Sequence, residues 1–215
     1  MAEQVIHSGE QVALVFFNQP DMDTCFVQEA HSTLKIHVLH VSKEGTPILA
    51  QDRLTIRHTG EGCETEIYAL NCLTQNDTAQ LHTRLLHEKG QGKSKLLVKF
   101  VLGDNAKGEF FGEMKIEPDA QKVEALQTNR NLLLSDKATI RTRPQLEIYA
   151  DDVKASHGAS TGQIDESSLF YMQQRCISPE EGRKLLIRAF MADVVETITD
   201  EQKREELVNA IDSVI

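Results

Sequence analysis

The chain has 215 residues, 40% hydrophobic and 26% charged, with a net charge of −10, which suits one good core or a larger domain with a small one attached. No apolar run is long enough to span a membrane, and the acidic balance argues against nucleic acid, which needs a concentrated basic face. Cys25, Cys63, Cys72 and Cys176 lie far apart with no Cys-x-x-Cys pair. The opening Met-Ala-Glu-Gln-Val-Ile-His-Ser-Gly lacks a basic segment followed by an apolar one. The expectation is free thiols and a cytoplasmic protein with protein partners.

Short β-type segments fill the chain to about residue 160. They run Val12–Phe17, Leu34–Val41, Arg53–His58, Thr65–Leu73, Gln80–Leu86, Leu96–Leu102 and Glu109–Ile116. Lys122–Leu126, Leu132–Leu134, Thr139–Arg141 and Gln145–Ala150 continue the series. Turn signals such as Thr59-Gly-Glu-Gly62, Gly90-Gln-Gly92 and Gly103-Asp-Asn105 separate them. No long helical pattern interrupts, which argues against an α/β fold and for an all-β barrel, sandwich or solenoid. Asn129 and Asn131 read as a turn before the apolar Leu132–Leu134; an ordinary Asx turn and the stacked turn of a β-helix fit equally.

Three short helices follow. Asp165 caps the first, whose apolar stripe is Leu169, Met172 and Phe170. Ser178-Pro179-Glu180-Glu181 opens the second, with Leu185, Leu186, Ala189, Phe190, Val194 and Ile198 at helical spacing. Thr199-Asp-Glu-Gln202 reads as a capping box before Leu207, Val208 and Ile211. Helices this short are marginal alone, so the bundle is expected to pack on the end of the β region. The division is 1–164 and 165–215.

Several candidate chemistries reduce to bland readings. Gly90-Gln-Gly-Lys-Ser94 resembles a P-loop, but the pattern needs glycine where His87 stands and a helix where Lys95–Leu102 reads as a strand. His37 and His40 point to opposite faces of a strand, and so do His82 and His87. Asp151 and Asp152 diverge on extended chain, so pairing with Lys154 or closing a loop outweighs metal or acid–base work. Cys176 ends a helix where φ > 0 is favoured, and reads as a tolerated substitution for glycine. His157 lies between Ser156 and Gly158, with Gly162 beyond, in what reads as a Gly-rich loop leading to the helices. An imidazole presented this way can hold metal or move a proton.

The blocks Ala120-Gln-Lys122, Gln127-x-Asn-x-Asn-Leu-Leu-Leu-Ser135, Arg143-Pro-Gln-Leu-Glu-Ile-Tyr-Ala-Asp-Asp-Val-Lys154, Ser156-His-Gly-Ala159 and Gly162-Gln-Ile-Asp165 resemble the SufD branch of the SufB/SufD family of iron–sulfur cluster assembly proteins. Leu169-Phe-Tyr171 and Arg175 extend the match, which is dense over about 107–195. The resemblance implies a right-handed parallel β-helix followed by a small C-terminal helical domain. It implies a non-enzymatic scaffold that pairs with SufB through the β-helix and docks the ATPase SufC through its helices, at Leu169, Phe170, Tyr171, Arg175 and Phe190. It makes His157 a metal or cluster ligand shared with a partner chain, in a loop shaped by Asp151, Asp152, Lys154, Gly158 and Gly162. Ala155 stands where the family often has Cys, so this chain supplies one ligand at most, and iron or a cluster is held only transiently at the interface. The family's N-terminal helical domain has no counterpart here, which reads as a short homologue or a truncated chain. Without partners, a homodimer through the same surface is expected. The alternatives are a β-helix enzyme acting on carbohydrate, with Asp151 and Asp152 as metal ligands, or a homodimeric structural module.

Overall fold

A computed structural model describes residues 2–19 and 21–215. The chain alternates between two sheets. β1 (Ala2–Ile6), β3 (Asp23–Gln28), β5 (Leu49–His58), β7 (Thr78–His87), β9 (Lys107–Ile116) and β11 (Thr139–Ile148) form one. β2 (Gln11–Phe17), β4 (Thr33–Val41), β6 (Glu64–Leu73), β8 (Lys93–Leu102), β10 (Val123–Leu133) and β12 (Val153–Gly162) form the other. Each strand lies parallel on the strand two before it, so the fold is a parallel β-solenoid. Side chains alternate in and out. Leu54, Ile56, Leu81, Phe110 and Met114 from the odd sheet meet Leu34, Ile67, Val98 and Phe100 from the even one in a continuous core. Each such side chain contributes roughly 1.5–3 kcal/mol.

Two corners show why the turn signals fell where they did. His58 and His87 are register partners in adjacent turns, fully buried, with ring centroids 4.5 Å apart. Thr65 gives its hydroxyl proton to Gln28 and therefore accepts from His58 Nε2 at 2.8 Å. His87 Nε2 meets Ser94 Oγ at 3.0 Å. A side chain on Gly92 would stand 2.9 Å from His87 Nδ1 and 3.1 Å from His58 Nδ1. The glycine of the false P-loop is thus a packing requirement, and β8 follows it as expected.

The histidines three apart do face opposite ways. His40 Nε2 meets the Asp52 carboxylate at 2.7 Å in the interior. His37 faces outward, stacked on Tyr68, and its Nε2 meets Thr197 Oγ1 at 2.9 Å. His82 lies outside beside Glu109 at 3.1 Å.

Several elements differ from the sequence reading. Lys122–Leu126 and Leu132–Leu134 are one strand, β10, because Gln127, Asn129 and Asn131 point inward and are hydrogen-bonded there. The two asparagines therefore lie within a strand and not at a turn. Thr139–Arg141 and Gln145–Ala150 likewise merge into β11 through Pro144. An edge strand leaves some N–H groups without ladder partners, so it tolerates proline. Cys176 takes φ 63°, as a helix-terminating residue should.

The helices α1 (Glu166–Gln173), α2 (Pro179–Val195) and α3 (Glu201–Asp212) do not cap the end of the stack. They pack on the outer face of the even sheet, α2 against β6 and β8 and α3 against β4. The reason lies in β4, β6 and β8, whose second halves are buried on both faces. Leu39, Leu70, Cys72, Leu97 and Val101 form a second core with Ile187, Met191, Val194 and Ile198. The buried stripe of α2 is thus rotated from the expected one, and Leu185 and Ala189 face solvent. Lys99 is buried under α2, with its ammonium on the Phe190 carbonyl and the Asp193 carboxylate. Burial lowers its pKa, and Asp193 opposes that shift. The cap of α3 is Asp200 and not Thr199, since its carboxylate accepts from both Gln202 and Lys203.

Burial holds His87 at a pKa of about 4, and burial with Lys35 holds His37 at about 4. Both lie below the unfolded value near 6.5, so the unfolded chain binds more protons as pH falls. Stability is therefore expected to drop between pH 6.5 and 4, by about 3 kcal/mol for His87 alone. In urea titrations, His87→Gln should flatten that pH dependence. An unchanged slope would show that His87 does not carry it.

Candidate functional site

The last turn of the solenoid ends in two open edges. β11 terminates the odd sheet and β12 the even one. β12 pairs with β10 along its whole length, Val153 with Val123 through Gly162 with Leu132. Its other edge meets no strand among the described residues. This overturns the Gly-rich loop: His157, Gly158 and Gly162 lie on a strand. The segment Ala-Ser-His-Gly-Ala-Ser-Thr-Gly carries almost no β-propensity, and the ten-residue ladder imposes the strand on it. Side chains on Gly158 or Gly162 would meet nothing within 4 Å, so these glycines shape no loop.

Register fixes where His157 points. Its column runs Ile36, Ile67, Leu96, Gln127, His157, all inward-facing. His157 is exposed only because no further turn covers it. Ala155 shares that face, in the column of Ser94 and Ala125. The mouth of the solenoid is therefore lined by a histidine and small residues, above a layer of buried amides. Asn129 and Asn131 exchange side-chain hydrogen bonds at 3.1 and 2.8 Å. Asn131 Nδ2 also donates to Ser160 O and Thr161 Oγ1, both at 3.2 Å, and so ties β12 to β10.

The outward face differs. Glu64, Lys93, Glu124 and Lys154 form a column of alternating charge. Lys93 reaches Glu64 at 3.0 Å and Lys154 reaches Glu124 at 2.8 Å. Hydrogen bonding to Lys154 lowers the Glu124 pKa and raises that of Lys154. These contacts flank a shallow groove of about 700 Å³ that Leu126 and Ser156 also line. The expected pairing of Lys154 with an adjacent aspartate is thus replaced by Glu124, which the ladder places directly beneath it. Asp151 and Asp152 sit exposed in the turn before β12, where Asp152 O accepts from Lys122 N and Asp152 N donates to Gln121. Neither converges on His157.

The residues assigned to docking divide. Leu169 is buried and Phe190 lies over the Lys99 ammonium at 4.6 Å, so both serve packing. Phe170 and Tyr171 are 62% and 58% exposed, and Arg175 stacks on the Tyr171 ring at 4.1 Å. Phe170 therefore leaves the stripe expected for α1 and faces solvent.

Of the four thiols only that of Cys176, after α1, is exposed. Cys25, Cys63 and Cys72 are buried, with thiol pKa values raised chiefly by burial, that of Cys72 to about 12. Thiolate is the ligating form, so these are poor ligands. Among the described residues no group of three or more His, Cys, Asp or Glu is placed to hold a metal ion. His157 can offer one nitrogen donor.

Gln127 is the residue that sequence reading missed. Its signal was the period of two in Gln127, Asn129 and Asn131, which matches a strand face more than a turn.

Asn131→Leu would remove both side-chain hydrogen bonds from β10 to β12 and orphan the Asn129 carbonyl oxygen. A loss of about 1–3 kcal/mol is expected, with faster amide exchange confined to β12. Uniform exchange across the sheet would contradict the anchoring role.

Residues 22–190 match the family model described as SUF system FeS cluster assembly, SufBD core domain. The iron–sulfur cluster assembly protein SufD of Escherichia coli is 36% identical over 152 residues, covering 71% of this chain and 36% of that protein. SufD of Bacillus subtilis is 37% identical over 135 residues, 63% of this chain and 31% of that protein. The chloroplast protein ABCI7 of Arabidopsis thaliana is 31% identical over 185 residues, 86% of this chain and 38% of that protein. The chain spans about a third of the length of these relatives.

Proposed function

This chain belongs to the SufB/SufD family of the SUF iron–sulfur cluster assembly system, and we propose that it serves there as a non-catalytic scaffold and partner subunit. The observation that carries this reading is the open β12 edge with His157 in its inward column. A parallel ladder that stops with unpaired N–H and C=O groups is a template for another chain. A SufB homologue laid along β11 and β12 would cover His157 and bring thiolates to it. Iron or a cluster is the cargo of this site, held between the chains. Imidazole from one side and softer sulfur from the other suit iron–sulfur chemistry better than a lone histidine.

The helical layer is the second contact surface in this reading. Phe170, Tyr171 and Arg175 form an exposed aromatic and cationic cluster, of the kind enriched at interface hot spots. A SufC homologue is its proposed occupant. The two surfaces lie on different elements, β12 and α1, so both partners can be held at once.

Co-expression with SufB and SufC homologues should give a stable complex containing this chain. His157→Ala should keep that complex and lower cluster assembly at least tenfold. A chain that captures neither partner, or a His157→Ala complex that assembles clusters normally, would end this reading. Without partners, the same edge is expected to close on a second copy, so light scattering after size exclusion should give a dimer. Breaking the edge with Ala159→Pro should return it to monomer, whereas a wild-type monomer would argue that β12 does not self-associate.

A further inference from the structure

Two cores share the even sheet. Its inward side chains belong to the solenoid core, and the outward ones of β4, β6 and β8 form the second core under α2 and α3. Two outward columns lie in that second core. One runs Val41, Cys72, Val101 and Leu132 and is apolar throughout. The other runs Leu39, Leu70, Lys99 and Arg130. Lys99 therefore interrupts a leucine column, with Leu97 and Val101 on either side of it along the same face of β8.

Lys99 is 2% exposed. Its side-chain hydrogen bonds and ion pair among the described residues all come from one turn of α2. The ammonium donates to the Phe190 carbonyl and the Asp193 carboxylate, and lies 4.6 Å from the centre of the Phe190 ring. The Asp193 side chain is 49% exposed, so the cation is buried while its counter-ion stands at the rim. Arg130, next in the column, is a like charge and works against the ammonium. Such a pair is a weak source of stability, because desolvation offsets the attraction and an apolar side chain of similar size often holds as well or better. What it does supply is direction. The ammonium meets its partners in one register of α2, and both charges regain water when α2 leaves.

The helices are built to move together. Gly182 of α2 makes room for α1: a side chain there would stand 3.3 Å from Leu169 Cδ2 and 3.4 Å from Met172 Sδ. Leu207 and Ile211 of α3 join Ile187, Met191 and Val194 of α2 in one core, and Arg188 holds Asp212 at 2.8 Å.

We propose that α1, α2 and α3 form a releasable layer, which Lys99 seats in one register on the even sheet and which lifts from it while the solenoid stays folded. Lys99 acts as a latch: it specifies the seat and reduces the penalty for leaving it. The exposed cluster of Phe170, Tyr171 and Arg175, on α1 and the turn after it, is carried with the layer. The inference stands apart from what docks on α1 or on β12.

The test is amide hydrogen exchange of the full chain, under conditions where exchange reports the opening equilibrium. In wild type, protection in α2 and α3 should be about a hundredfold below that in β6 and β8. Equal protection, lost together as urea is raised, would overturn the proposal. Lys99→Met removes the charge and keeps most of the length. It should slow exchange of the helices about tenfold and leave the solenoid strands unchanged. Unchanged or faster exchange would make Lys99 an ordinary stabilising contact and overturn its role as a latch. Asp193→Ala leaves the ammonium buried without a counter-ion, and should speed exchange of the helices about a hundredfold. Adding Lys99→Met to Asp193→Ala should cancel that increase. An equal increase with Met at position 99 would show that Asp193 acts apart from Lys99, against the proposal. If Asp193→Ala does not fold, Lys99→Met decides alone.

Discussion

The parallel hydrogen-bond ladder is the constraint on which the rest of this structure depends. Every turn of chain satisfies its backbone against the turn before and the turn after. Side chains then stack in columns with the same facing, so one residue's direction is set by residues some thirty positions away. A solenoid of this kind solves its polar bookkeeping everywhere except at its ends. At the C-terminal end the unsolved part is β12, on which the proposed ligand His157 lies.

The helices matter by where they are not. They could have closed the open turn, as sequence reading anticipated, but the outward apolar side chains of β4, β6 and β8 draw them to the flank of the stack. Lys99 and His37 fix that placement with polar contacts to Asp193, Phe190 and Thr197. The outer edge of β12 is thus left without a further strand among the described residues, with His157 in its inward column.

Polarity inside the stack follows the same logic. The apolar interior of the earlier turns is interrupted by polar clusters such as His40 with Asp52 and His58 with Thr65, and directly beneath β12 it carries the amides of Gln127, Asn129 and Asn131. Buried amides cost stability unless they are bonded. Here Asn131 is bonded to the last strand, which has few apolar side chains of its own to hold it, while Gln127 and Asn129 bond back to Gly112 and Val98.

Sequence alone determined that this is a β chain with three short helices, because apolar periodicity and capping residues act locally. Asp165, Ser178-Pro179 and the glycine-bearing corners could be read without knowing what they touch. Family blocks around Gln127 and His157 identified the system for the same reason: they are contiguous. Only the tertiary structure decided that His157 sits on a strand and that Asn129 and Asn131 lie inside one. It also decided that Lys154 answers Glu124 and that the helices lie on the flank. Each of those facts is a relation between turns of the ladder, roughly thirty residues apart in the chain, and no local pattern of side chains records it.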